Sequence, residues 1–134
     1  MTVKKDYIPD INKLILYQKA KQFRKEIYDA VKQFPTFETY IMCDQLRRAS
    51  SSVPSNIMEG HQNFYYLKEY DRLNTALGSI AECRSFLDMA MTERYITNQQ
   101  YGNLDKKAEE ILRMLIGKMR QIDKVVTVQE KVIG

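Results

Sequence analysis

Residues 45–62 read "QLRRASSSVPSNIMEGHQ", Gln45 to Gln62, and the fold turns on whether this stretch is one helix or two pieces. Two features stand against a helix. Three consecutive serines compete for nearby backbone hydrogen bonds, and Pro54 lacks a backbone donor, which costs roughly 3 kcal/mol in a helix interior. The apolar register argues the other way. Met42, Leu46, Ala49, Val53, Ile57 and Gly60 recur at spacings of four and three, and the series passes through Pro54 without losing phase. Residues beyond a true break have no reason to keep that register. The stretch therefore reads as one helix, kinked at Pro54.

A second stripe lies beside the apolar one: Gln45, Arg48, Ser52, Asn56 and Glu59. Neighbours three and four apart touch on a helix, so Arg48 is expected to bond Ser52, and Asn56 to bond Glu59. The hydroxyls of Ser50 and Ser51 are expected to serve carbonyls that Pro54 leaves free. This polar seam fixes helix register or a subunit interface in the simpler reading. In the functional reading it lines a groove for a ligand or a nucleic acid.

Outward from this stretch, the same period recurs three more times. Leu16, Ala20, Phe23, Ile27, Ala30 and Phe34 form one face, with Lys19, Lys21, Lys25, Asp29 and Lys32 off it. Pro9-Asp10 marks its start and Phe34-Pro35 its stop, because a residue before proline avoids helical angles. Thr36 is expected to cap the second helix. The third carries two stripes: Tyr70, Leu73, Leu77, Ile80, Arg84, Leu87 and Met91, and the mostly small set Ala76, Ser79, Cys83, Phe86 and Ala90. One suits the bundle core and the other a second subunit. "TNQQ" at 97–100 matches a capping box, ahead of Leu104, Ala108, Ile111, Leu115, Met119 and Ile122. Residues from about Thr127 read as a frayed tail.

These patterns predict helices over about 10–34, 36–61, 65–92 and 98–125, joined by short connections that make neighbours antiparallel. The expected fold is all-α, an antiparallel up-down-up-down four-helix bundle forming a single domain over 1–134. A chain of 134 residues can bury a real core without disulfide or metal support. The two cysteines, Cys43 and Cys83, sit far apart in helical patterns and read as small core or interface residues. With no apolar leader in the first 12 residues and no span-length apolar run, a cytoplasmic protein with no membrane contact is expected. The net charge of +4 permits an anionic partner without naming one.

The runs "DQLRRASSSVPSNIMEGHQ" and "ALGSIAECRSFLDMA" resemble the signature of four-helix-bundle proteins known as 23S rRNA intervening-sequence proteins. That signature joins a Gln-Leu-Arg-Arg-Ala run to Ser-Ile/Val-Pro-x-Asn-Ile-x-Glu-Gly, then Ala-Leu-Gly-Ser-x-x-Glu. The resemblance spans residues 14–123 in helix layout and is motif-specific over 44–60 and 76–82. It implies the bundle fold and a pentamer, and no established enzymatic activity. Family members are encoded in insertions of large-subunit rRNA genes or elsewhere in bacterial genomes. More distantly, the chain is similar to the accessory variability determinant proteins of diversity-generating retroelements, pentamers of four-helix bundles that bind nucleic acid and partner a reverse transcriptase. The motif here looks like the rRNA branch. Gly78 and Glu82 fall in the second motif; Gly78 is expected to permit close helix approach, and Glu82 to pair across subunits.

Candidate sites follow from charge and spacing. Lys106, Arg113 and Arg120 are seven apart and project at nearly one angle; with Lys124 and Arg47 they are the expected phosphate contacts. The bland reading of that row is a solvated face with Glu109 and Glu110 nearby. Arg84 interrupts an apolar stripe and is expected to pair with a carboxylate such as Glu59 or Asp44, or to snorkel to the bundle end, with ligand binding as the functional alternative. His61, the lone histidine, has no companion for a metal or catalytic role and is expected to complement a helix C-terminus. Tyr65, Tyr66 and Tyr70 read as packing, with base stacking as the functional alternative. The expected interface set is Ala76, Ser79, Glu82, Cys83 and Phe86. The function expected is a non-enzymatic homo-oligomer, a pentamer by resemblance, that binds RNA (ribosomal RNA included) or a ribonucleoprotein through basic surface stripes, without cofactor, metal or catalytic residue. The alternative is a scaffold or accessory subunit that meets a protein partner and no nucleic acid.

Overall fold

The structure, a computed structural model, describes residues 3–133, with side chains to residue 131. Four helices carry it: α1 (Ile15–Ala30), α2 (Met42–His61), α3 (Tyr66–Thr92) and α4 (Asn98–Ile133). Each packs on its chain neighbours, and α1 also packs on α4, which closes the ring. Side-chain partners show the directions. Arg24 and Tyr28 meet Ser51 while Cys43 reaches back to Val31; Ser52 meets Ser79 while Glu59 meets Arg72. Glu69 lies by Lys118 and Arg84 by Asp105; Lys19 pairs with Glu110 and Glu26 with Lys107. In every pair of neighbours one number rises as the other falls, so the helices run antiparallel.

All six residues of the α2 apolar stripe are buried, and Pro54 sits buried inside an unbroken helix. The stripes of α1 and α4 are buried throughout as well. The α3 stripes are partitioned differently from the expectation. Leu73, Ala76, Ile80, Cys83, Leu87 and Ala90 are fully buried and form one core face. Tyr70, Leu77, Arg84 and Met91 are half-buried on one flank, and Ser79 and Phe86 on the other. Because α3 packs on both α2 and α4, its two stripes merge into one wide apolar face.

Helix ends correct the expected boundaries. Asp10 caps only a short 3-10 turn, Ile11–Lys13, by accepting from the Asn12 N–H at 3.0 Å, and α1 begins at Ile15. Thr36 opens another 3-10 turn, and α2 starts six residues later, at Met42, without a side-chain cap. Phe34 is extended, as a residue before proline should be. The capping box holds: the Gln100 N–H donates to Thr97 Oγ1 at 3.0 Å and the Thr97 N–H to Gln100 Oε1 at 2.8 Å. The expected frayed tail is instead helix, since Ile122 and Val126 still pack and α4 continues to Ile133.

An N-terminal strap crosses one end of the bundle. The Lys5 N–H donates to the Phe64 carbonyl, the Tyr66 N–H to the Val3 carbonyl, and Lys4 bridges Tyr65 in antiparallel fashion. Among the described residues, no helix is long and apolar enough to cross a membrane.

Candidate nucleic-acid interface

The three serines of α2 part company. Successive residues on a helix turn by 100°, and α2 lies between α1 and α3. Ser50 is fully buried and its hydroxyl donates to the Arg47 carbonyl at 3.2 Å. Ser51 faces α1, where its Oγ accepts from Arg24 Nε at 2.8 Å and lies 3.3 Å from the Tyr28 hydroxyl. Ser52 faces α3, where its Oγ accepts from Ser79 Oγ and from Asn56 Nδ2, at 2.8 and 2.9 Å. Thus neither Ser50 nor Ser51 serves the Ser50 carbonyl that Pro54 leaves free, since Ser50 donates to the Arg47 carbonyl and Ser51 is engaged with α1. The seam is real only as Ser52, Asn56 and Ser79. Arg48 pairs with Asp44 in place of Ser52, Glu59 pairs with Arg72 across helices in place of Asn56, and Gln45 is exposed.

The α1 side of Ser51 carries a set of cations and rings. Tyr17, Lys21, Arg24 and Tyr28 are spaced four, three and four, one stripe along the flank of α1 that faces α2. Lys21 Nζ lies 4.8 Å from the Tyr17 ring centroid, and the Arg24 guanidinium 4.2 Å from that of Tyr28. Arg47 adjoins from α2, with one N–H donated to the Thr39 carbonyl at 3.0 Å. The Ser51 hydrogen bond, helped by the charges of Arg24 and Arg47, holds the Tyr28 hydroxyl below its ordinary pKa of 10.0 against the opposing effect of burial. Among the described residues, Lys21, Arg24 and Arg47 make no ion pair. The spacing of this stripe was readable beforehand; its meaning was not, because the signal lies in what α2 adds.

The expected phosphate contacts divide between two places. Lys106, Arg113, Arg120 and Lys124 are all exposed on α4, as a row requires. Arg113 is occupied by Glu109, one turn away at 2.8 Å. Arg47 belongs to the α1–α2 flank, on a helix that does not neighbour α4 in the ring, so it does not extend the row.

Arg84 is paired, though with Asp105 on α4 and not with Glu59 or Asp44. Two hydrogen bonds, at 2.7 and 3.0 Å, make it bidentate and raise its already high pKa further. His61 is buried, and its Nε2 is 2.7 Å from the Pro9 carbonyl, so that nitrogen carries the proton that the carbonyl accepts. Its place is under the strap, a packing role more specific than dipole compensation. Beside it Lys5, itself buried, donates to the carbonyls of Gly60 and His61 at 3.2 and 3.0 Å and meets Glu69 Oε1 at 3.0 Å. Nothing in the sequence marked Lys5, since its partners lie more than fifty residues away.

The expected interface set needs correction. Ala76 and Cys83 are fully buried within the single chain and offer no surface to a second copy. Ser79 bonds Ser52 within the chain, Phe86 packs half-buried on the core, and only Glu82 is exposed. Gly78 is not a close-approach glycine, because a Cβ there would meet nothing within 4 Å. Gly60 is: a Cβ would lie 3.1 Å from Arg72 Cβ and 3.2 Å from the Glu69 carbonyl oxygen. Tyr66 packs half-buried, with the Lys5 ammonium 5.9 Å from its ring centroid, while Tyr65 stays exposed.

Fold and surface together define a small helical-bundle protein with cation-rich flanks. The chain belongs to the family described as 23S rRNA-intervening sequence protein, whose model matches residues 12–117. It is also similar to the crystal structure of a protein of unknown function from the S23 ribosomal protein family of Bacteroides thetaiotaomicron. That likeness has 25% identity and a TM-score of 0.71, covering 78% of this chain and 97% of the other. No curated protein matches.

Proposed function

We propose that the protein is a non-enzymatic RNA-binding bundle that grips phosphates through its exposed cations. The observation that carries this reading is that two groups of cations stand without carboxylate partners. Lys21, Arg24 and Arg47 on the α1–α2 flank, and Lys106, Arg120 and Lys124 on α4, form no ion pair among the described residues. Cations so placed bind polyanions by releasing condensed counterions. The family's name, which ties it to rRNA genes, agrees with an RNA partner.

Assembly is part of the reading, as a homo-oligomer and, by the resemblance in sequence, a pentamer. The outer face of α3, with the small residues Thr75, Gly78, Ala81 and Ser85 exposed beside Glu82, is the surface we assign to it. The test is charge reversal. Lys106→Glu with Arg120→Glu is expected to weaken binding of ribosomal RNA fragments in a gel shift about tenfold or more, with helix content unchanged. Unaltered binding removes α4 from the interface.

A second reading rests on a different surface. Phe37 and Met89 are exposed and line one hollow with Glu38, Asp88 and Glu93, and Tyr40 and Ile41 are exposed on the same loop as Phe37. Exposed apolar residues with an acidic rim suit a protein partner. In that reading the bundle is a scaffold or accessory subunit without nucleic-acid contact.

A further inference from the structure

We propose that the α1–α2 flank is a surface for single-stranded RNA, its phosphates gripped by Arg24 and Arg47 and its bases stacked on Tyr17 and Tyr28. The inference rests on the RNA-binding reading and goes further, naming the strand type and the surface. Single strands are held by positive grooves that track the backbone, combined with aromatic faces on which bases stack. The α4 row supplies the first element alone, for no aromatic residue interleaves Lys106, Arg113, Arg120 and Lys124. The α1–α2 flank supplies both.

Its order along the chain is ring, cation, cation, ring: Tyr17, Lys21, Arg24, Tyr28. The two tyrosines are eleven positions apart on one helix, about 16 Å at 1.5 Å per residue. That span accommodates a few nucleotides of an extended strand between the rings. Each ring already has a cation over one face, 4.8 Å from Tyr17 and 4.2 Å from Tyr28, and each remains half-exposed. A planar base on a ring flanked by a cation gains stacking and cation–π attraction together.

The polar floor suits a phosphate. Ser51 Oγ fixes Arg24 through Nε alone, which leaves the two terminal nitrogens of the guanidinium free to face a bidentate acceptor. Arg47 is held from Thr39 through Nη2, so both guanidiniums are oriented before any ligand arrives. Pre-oriented donors lose less entropy on binding than free ones. The carboxylates nearest in sequence face elsewhere: Glu26 pairs with Lys107 on α4, Asp29 with Lys32, and Asp44 with Arg48. A duplex cannot use the rings, because its bases are already stacked and paired.

The experiment is fluorescence anisotropy with a labelled short oligouridylate, and with an RNA duplex of equal length, on the full chain. Wild type is expected to bind the single strand more tightly than the duplex. Arg24→Gln is expected to weaken single-strand binding about tenfold and to lower the salt slope by about 0.7, the value of one phosphate contact. Tyr17→Leu is expected to weaken it about fivefold or more with the salt slope unchanged, as loss of a stacked base requires. If Arg24→Gln fails to fold, Lys21→Glu on the exposed edge carries the same test. Equal affinity for duplex and single strand overturns the proposal. So does single-strand binding that ignores these substitutions yet falls on Lys106→Glu with Arg120→Glu, an outcome that leaves the RNA reading standing. A wild-type protein that binds neither RNA at low salt overturns both.

Discussion

Lys5 shows how one side chain can hold a bundle end together. Its ammonium has three protons and meets three acceptors, the carbonyls of Gly60 and His61 and the carboxylate of Glu69. Glu69 is itself buried, and its second oxygen accepts no hydrogen bond among the described residues, with only the Lys118 ammonium at 3.7 Å. Lys5→Met keeps the stem and removes the charge. It is expected to cost about 3 kcal/mol in urea unfolding, because a buried carboxylate is left underpaired. Adding Glu69→Gln to that variant should recover part of the loss; strictly additive costs would contradict the pairing. Cys83 gives a second test at this scale. Burial, with a smaller push from Glu82, raises its thiol from 9.0 to about 12. Its folded value thus lies above its unfolded one, so its contribution to stability is full below about pH 9 and declines as pH rises toward 12. Cys43 is shifted upward too, again first by burial. At about pH 8.5 the native protein should resist thiol reagents that label it rapidly in denaturant, since the thiolate is the nucleophile. Fast native labelling would mean an open core.

Helices were legible in the sequence because each stripe is local: a period of 3.6 shows itself without any knowledge of neighbours. That is why α2 could be followed through Pro54 and why Thr97 and Gln100 could be paired in advance. Thr97→Ala is expected to cost about 1 kcal/mol through loss of the α4 cap, read as a lowered denaturant midpoint with unchanged slope. What could not be read depends on how helices sit against each other. Arg84 finds Asp105, and Ser79 finds Ser52, through packing register alone. The two stripes of α3 look like two interfaces in sequence and prove to be one, because nothing local says that neighbours on both sides share a core. Gly78 and Gly60 show the same limit: equal in sequence, one faces open space and the other Arg72 and Glu69. Gly60→Ala is expected to lower stability by about 1 kcal/mol or more, because Arg72 Cβ and the Glu69 backbone must shift. A neutral Gly60→Ala would show that the α2–α3 contact yields easily.

At the scale of the molecule, charge is distributed unevenly. Lys19, Lys107 and Arg84 are engaged in ion pairs that hold α1 and α3 to α4. Of the cations that form no ion pair among the described residues, Lys21, Arg24 and Arg47 share the α1–α2 flank and Lys106, Arg120 and Lys124 share a row on α4, and these two groups are what a polyanion would meet. The +4 net charge in the sequence hinted at such a partner, but the grouping of Arg47 with α1 and not with the α4 row required the fold. The most direct measurement is binding of RNA to the purified protein across a salt series, with the mass in solution determined on the same sample. Binding in the submicromolar range that weakens steeply with salt, by a protein of several times the chain mass, is the result this account predicts. No binding even at low salt would contradict it and turn attention to the apolar loop around Phe37 as the surface in use.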